Sequence, residues 1–84
     1  MSTADQVKQI IAEQLARDVD EIGLDASLTH DLGADSLDLS ECVVAFEQTF
    51  QIRISTEDAA KISSVRNAIA YVEANVSARQ NQPA

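Results

Sequence analysis

Apolar residues recur at three- and four-residue intervals in three separate stretches of this 84-residue chain, and that period admits helices. Val7, Ile10, Ile11 and Leu15 form the first set. In the second, Leu39, Cys42, Val43, Phe46 and Phe50 fall within an arc of about 100° when each residue advances by roughly 100°. The third set is Val65, Ala68, Ile69, Val72 and Val76. No stretch carries a convincing two-residue alternation. Residues 51–55 alternate, but a lone short run has no partner strand. The pattern therefore predicts an all-α chain.

Start and stop signals divide it. Thr3 followed by Gln6 has the form of a capping box, which would open a first helix ending near Arg17. Asp35 is placed to cap a second helix beginning at Ser36. Ser55, followed by the acids Glu57 and Asp58, opens a short third helix ending near Ile62, with negative charge at the favourable end of the dipole. Ser63 and Ser64 cap the last helix. The expected architecture is a four-helix bundle of three longer helices and one short third helix, occupying residues 1–76. A disordered tail is expected over residues 77–84, which are polar and end in Gln-Pro-Ala. Between helices one and two runs a long loop from Asp18 to Asp35, holding both glycines, Gly23 and Gly33. Loops of this length tend to be functional. Its isolated apolar residues Ile22, Leu24, Leu28 and Leu32 would pin it across the helices.

Composition narrows the function. A hydrophobic fraction of 45% suffices for a core, and an aromatic fraction of 4% makes that core aliphatic. Fourteen acids face six bases, for a net charge of −8. That charge opposes nucleic acid and anionic membrane surfaces, and suits basic protein partners and a monomeric state. The single Cys42 cannot form an internal disulfide, so nothing requires an oxidising compartment, and no signal peptide or transmembrane run is visible. A cytoplasmic location is expected.

Groups able to do chemistry are few. A triad of Ser36, His30 and a carboxylate would need glycines two residues either side of the serine, where Ala34 and Asp38 stand. His30 reads better as a solvated loop residue. Asp18, Asp20 and Gly23 match three positions of a calcium loop. Ile22 and Thr29 occupy the fifth and twelfth, where an oxygen ligand and a glutamate are required. No Cys/His spacing supports zinc, and Cys42 on the apolar arc behaves as a small hydrophobe. No metal site is expected. Ser36 differs from these groups. It opens a helix whose outer side carries Leu37 and Val44 among acids, so a group esterified there would project into solvent.

The segment Leu32-Gly33-Ala34-Asp35-Ser36-Leu37-Asp38 resembles the attachment motif of acyl carrier proteins. The similarity extends from helix one to Val76 and includes the acidic second helix, Phe50, the Ile54 region and the short third helix. The chain is most similar to free-standing, type II carriers, since it starts and stops at the domain. The resemblance implies a carrier and not an enzyme. Ser36 would bear 4′-phosphopantetheine, added from coenzyme A by a phosphopantetheinyl transferase, and the arm's thiol would hold acyl groups as thioesters. Partners would be that transferase and acyl-transfer and chain-elongation enzymes of fatty-acid or polyketide synthesis, with basic docking surfaces. Leu37 and Val44 would supply the apolar centre of the contact; Asp35, Asp38, Glu41 and Glu47 would supply its charged edge. The acyl chain would lie among Leu39, Cys42, Val43, Phe46, Ile54, Ala59 and Ile62. Ser40, Cys42 and the basic 51–53 segment depart from the common fatty-acid carriers and point to a specialised one. The alternative reading is an unmodified acidic helical adaptor that binds basic proteins through helix two.

Overall fold

The computed structural model describes residues 2–80, with side chains for residues 2–76. Four helices follow in order: α1 over Thr3–Leu15, α2 over Ser36–Phe50, α3 over Thr56–Lys61 and α4 over Val65–Gln80. A single 3-10 turn, Val19–Glu21, interrupts the long loop. Among the described residues the only β pairing is an isolated antiparallel bridge between Ser27 and Ser64.

The ends of the helices obey local chemistry, with two shifts at α1. The cap is Ser2, not Thr3. Ser2 is extended, and its hydroxyl accepts the Asp5 N–H at 3.1 Å. A serine in this conformation reaches the third helical N–H, which leaves Thr3 as the first helical residue. The helix also stops at Leu15, short of Arg17. Ala16 turns into the left-handed region at φ 55°, and the Arg17 N–H folds back to the Ala12 carbonyl at 2.9 Å. Elsewhere the expected caps are present. The Ser55 hydroxyl accepts from Asp58 N–H, and the Ser64 hydroxyl accepts from Asn67 N–H, each at 3.1 Å.

Helix α1 packs against both α2 and α4, and α2 packs against α4. Val7 and Ile11 of α1, Cys42 and Phe46 of α2, and Val65, Ala68, Ile69 and Val72 of α4 form one buried cluster. The long loop closes over it through Ile22, Leu28, Leu32 and Ala34. Leu24 does not join them. It remains 44% exposed, and its contribution comes from the main chain, whose carbonyl accepts the Arg66 N–H at 2.9 Å. The Ala26 carbonyl takes the Val65 N–H at 3.1 Å, so the loop satisfies two orphan donors at the start of α4. Leu28 N–H donates to the Ser63 carbonyl at 3.0 Å. An exposed Arg66–Asp25 ion pair at 2.9 Å reinforces the same seam.

The last helix runs beyond the boundary expected at Val76. Ala78, Arg79 and Gln80 favour helix, and the first breaker, Pro83, lies further on. Of the expected tail, residues 81–84 lie outside the described residues.

Candidate functional site

The approach to Ser36 is built residue by residue. Gly33 takes φ 71°, a conformation that costs a side chain but not glycine. Ala34 is buried in the core, and its N–H donates to the Leu28 carbonyl at 2.8 Å. Asp35 then caps α2. Its carboxylate accepts the Asp38 N–H at 2.9 Å, and the Asp38 carboxylate accepts the Asp35 N–H at 3.2 Å. This reciprocal box fixes the first turn. Ser36, as the first helical residue, is exposed, and no described residue hydrogen-bonds its hydroxyl. The four residues before the serine are therefore held by turn, core and cap, while the serine itself is left free at the positive end of a fifteen-residue helix.

The exposed side of α2 carries most of the residues expected at the docking face. Leu37 is 65% exposed and Val44 is 48% exposed. Asp35 and Glu41 are exposed and Asp38 is half-buried. Ser40 is exposed too. Glu47 stands apart from these rim charges: it is half-buried, and its carboxylate accepts the Ile54 N–H at 2.8 Å. It therefore serves the fold as well as the surface. A groove of about 320 Å³ beside Glu41 and Val44 is completed by Ala45, Gln48 and, from α1, Gln14. Gln14 carries no motif of its own, and only the packing of α1 on α2 brings it to this face.

Beneath that face lies the aliphatic core. Cys42, Phe46, Ile54 and Ile62 are buried, and Leu39, Val43 and Ala59 pack partly buried against the same cluster. Burial pushes the Cys42 thiol up to about 11, with the charges of Asp38 and Glu41 adding to the rise. Such a thiol is neutral near pH 7 and a poor nucleophile. His30 is exposed on the loop, and its main-chain N–H donates to the Ser27 hydroxyl at 3.1 Å. Asp18 and Glu21 bracket the 3-10 turn, with Asp18 N–H donating to the Glu21 carboxylate at 3.3 Å. No group of three His, Cys, Asp or Glu among the described residues is arranged to hold a metal ion. No helix of the described residues is long and apolar enough to cross a membrane.

Comparison with known proteins agrees with this geometry. Residues 5–72 match the family model described as the phosphopantetheine attachment site. An acyl carrier protein of Solidesulfovibrio magneticus is 49% identical over 73 residues, covering 87% of this chain and 94% of that protein. One of Helicobacter hepaticus is 44% identical over 75 residues, covering 89% and 99%. Among solved structures, the apo doublet acyl carrier protein from prodigiosin biosynthesis superposes with a TM-score of 0.77 at 25% identity. The match takes in 87% of this chain and 35% of that longer one. With a family match across most of its length and relatives at this level of identity, the chain belongs to the phosphopantetheine-bearing acyl carrier family, whose members carry and do not catalyse.

Proposed function

We propose that Ser36 is the attachment residue and that the domain, residues 1–76, presents acyl thioesters on its arm to enzymes of fatty-acid or polyketide synthesis. The observation that carries the reading is the exposed, unengaged Ser36 hydroxyl at the first position of α2, beside the exposed Leu37 and Val44. These residues suit the group. A phosphodiester on Ser36 would meet the free N–H groups of the first helical turn, which favour an anion. The arm supplies the thiol chemistry when attached; the chain's own residues hold it clear of the surface.

Asp35, Leu37, Asp38, Glu41, Val44 and Glu47 form the docking surface on this reading. Its two exposed aliphatics seat a partner, and its carboxylates attract a basic rim. Charge complementarity of this kind raises association rates more than affinity, which suits a carrier that must leave. Leu39, Cys42, Val43, Phe46, Ile54, Ala59 and Ile62 wall the acyl chain. We place the protein in the cytoplasm as a monomer.

The test is the intact mass of the purified chain before and after incubation with coenzyme A and a phosphopantetheinyl transferase. The parent gains one arm and Ser36→Ala gains none. An unmodified parent would leave the adaptor reading. A Ser36→Ala chain that still gains an arm would move the anchor elsewhere, with Ser40 the nearest candidate.

A further inference from the structure

Helix α3 is held to the molecule differently from the others. The extensive helix pairs are α1 with α2 and α1 with α4; α2 with α4 is slighter, and any pairing that includes α3 is slighter still. Its six residues are too few to be helical alone. Its apolar grip comes from Ile54 and Ile62 at either end, both buried, and Ala59 between them, half-buried. Two polar contacts complete the attachment, one to each neighbouring long helix. The Glu47 carboxylate on α2 accepts the Ile54 N–H at 2.8 Å. The Tyr71 hydroxyl on α4 donates to the Asp58 carboxylate, in the first turn of α3, at 2.6 Å. All three side chains are half-buried, and the charges of both carboxylates act on the same hydroxyl. Tyr71 is the only tyrosine of the chain, and the docking face makes no use of it.

Geometry gives this arrangement a consequence. Ile54, Ala59 and Ile62 face the same cluster as Cys42 and Phe46, so α3 is one wall of the aliphatic interior. The other walls are long helices packed on one another. The wall that moves with the least loss of packing is the short one, and it is tied down by two hydrogen bonds to carboxylates, one at Asp58 in its first turn and one at Ile54 just before it. Such bonds are among the stronger ones available to a half-buried group.

We propose that Tyr71, with Asp58 and Glu47, is a clasp that holds α3 shut over the interior, and that release of this clasp limits how readily a long acyl chain leaves it. Tyr71 is thus a positioning residue, acting through α3. The gating half of the proposal rests on the carrier reading above; the clasp itself does not.

Native-state amide hydrogen exchange on the unmodified chain tests the clasp. In Tyr71→Phe, the amides of Ile54 and α3 exchange roughly tenfold faster, the scale set by loss of one hydrogen bond to a charged acceptor, while those of Val7 and Ile11 change less than about twofold. Asp58→Asn, which keeps the side-chain size, moves the same amides in the same direction if Tyr71→Phe does not fold. Uniform acceleration, or none at α3, overturns the clasp whatever becomes of Ser36. The gate is read on chains loaded from octanoyl- or acetyl-coenzyme A, by the rate at which hydroxylamine cleaves the thioester. Tyr71→Phe speeds cleavage of the octanoyl form severalfold and leaves the acetyl form, too short to reach the interior, unchanged. Equal effects on both overturn the gate and leave a purely structural contact. A parent that cannot be loaded overturns the carrier reading and the gate together, and the exchange result still decides the clasp.

Discussion

The two glycines of the long loop give substitutions of opposite sign. Gly33 sits at φ 71°, three residues before Ser36, whereas Gly23 lies outside the left-handed region. A methyl group built on either glycine meets nothing within 4 Å. Packing therefore drops out of the comparison, and only backbone terms remain. Alanine in the left-handed region costs about 1–2 kcal/mol. Replacing glycine by alanine also restricts the unfolded chain, which stabilises by about 0.4–1 kcal/mol at any site the native backbone allows. Gly33→Ala should then lose roughly 1 kcal/mol net, and Gly23→Ala should gain about 0.4–1 kcal/mol. For a domain of this size about 1 kcal/mol moves the melting temperature by roughly 4–8 °C, so the two variants should melt on opposite sides of the parent. Gly33→Asn should lose less than Gly33→Ala, because asparagine tolerates the conformation. Thermal melts at one ionic strength decide the matter. If Gly33→Ala melted at or above the parent, or if both substitutions moved the same way, the left-handed turn would not be what sets up the approach to Ser36.

Other perturbations have equally definite outcomes. Phe46→Ala should cost about 3–5 kcal/mol, against a total of roughly 4–13 kcal/mol for a domain of this length, so denaturant melts should show its midpoint collapse. With Cys42 raised to about 11, only about one native molecule in a thousand carries the thiolate at pH 8; iodoacetamide should label the folded chain slowly and the urea-unfolded chain quickly, and equal rates would place the thiol outside the core. The hydrogen bond to Asp58, then burial and the charges of Asp58 and Glu47, raise Tyr71 above its ordinary value, and the neutral hydroxyl is the form the fold favours. Its stabilisation should be whole below about pH 10, the unfolded value, and lost as pH climbs through the raised one; ultraviolet titration should show the Asp58→Asn midpoint fall below the parent's. Added salt should raise the melting temperature by screening carboxylate repulsion and slow transferase loading, while Glu41→Lys should slow loading with little change in melting; salt that speeded loading would remove α2 from the docking surface.

The helices were legible because their apolar periods are clean and because Asp35, Ser55 and Ser64 sit where capping chemistry needs them. The local setting of Ser36 was legible for the same reason. A glycine before a capping aspartate and a serine at the first helical position form a local pattern, and local patterns survive in the sequence. What escaped was what depends on the third dimension. Ser2 took the cap from Thr3 because the extended conformation of one residue decided which hydroxyl faced the free N–H groups. Leu24 looks like its neighbours Ile22 and Leu28, yet the fold uses its carbonyl and leaves the side chain out. Gln14 joins the groove beside Glu41 and Val44 only because α1 packs on α2 there. The Tyr71–Asp58 bond spans thirteen positions and two helices, with no period or motif to announce it.

The sequence concentrates the acids of the chain around Ser36. Seven acids lie between Asp31 and Asp58, against one base, Arg53. Five of them are engaged by the fold. Asp31 accepts the Ser27 N–H at 2.7 Å, Asp35 and Asp38 cap each other's main chain, Glu47 accepts from Ile54, and Asp58 accepts from Tyr71. Glu41 and Glu57 make no such bond among the described residues. These carboxylates therefore do two things at once. Each engaged one offers a single oxygen to a local donor and keeps its remaining acceptor capacity and its negative charge for the solvent side. Groups already fixed by a cap lose little further side-chain freedom when a basic partner arrives, whereas a free glutamate must be ordered at that moment. On the proposed reading, the carboxylates around Ser36 are pre-positioned at Asp35 and Asp38 by the same bonds that start the helix, and adaptable at Glu41, one turn away. A fixed pair beside Ser36 and a free charge further out would, if Ser36 is the attachment residue as proposed, let one surface hold the serine in a constant geometry while accommodating partners whose basic residues are not identically spaced.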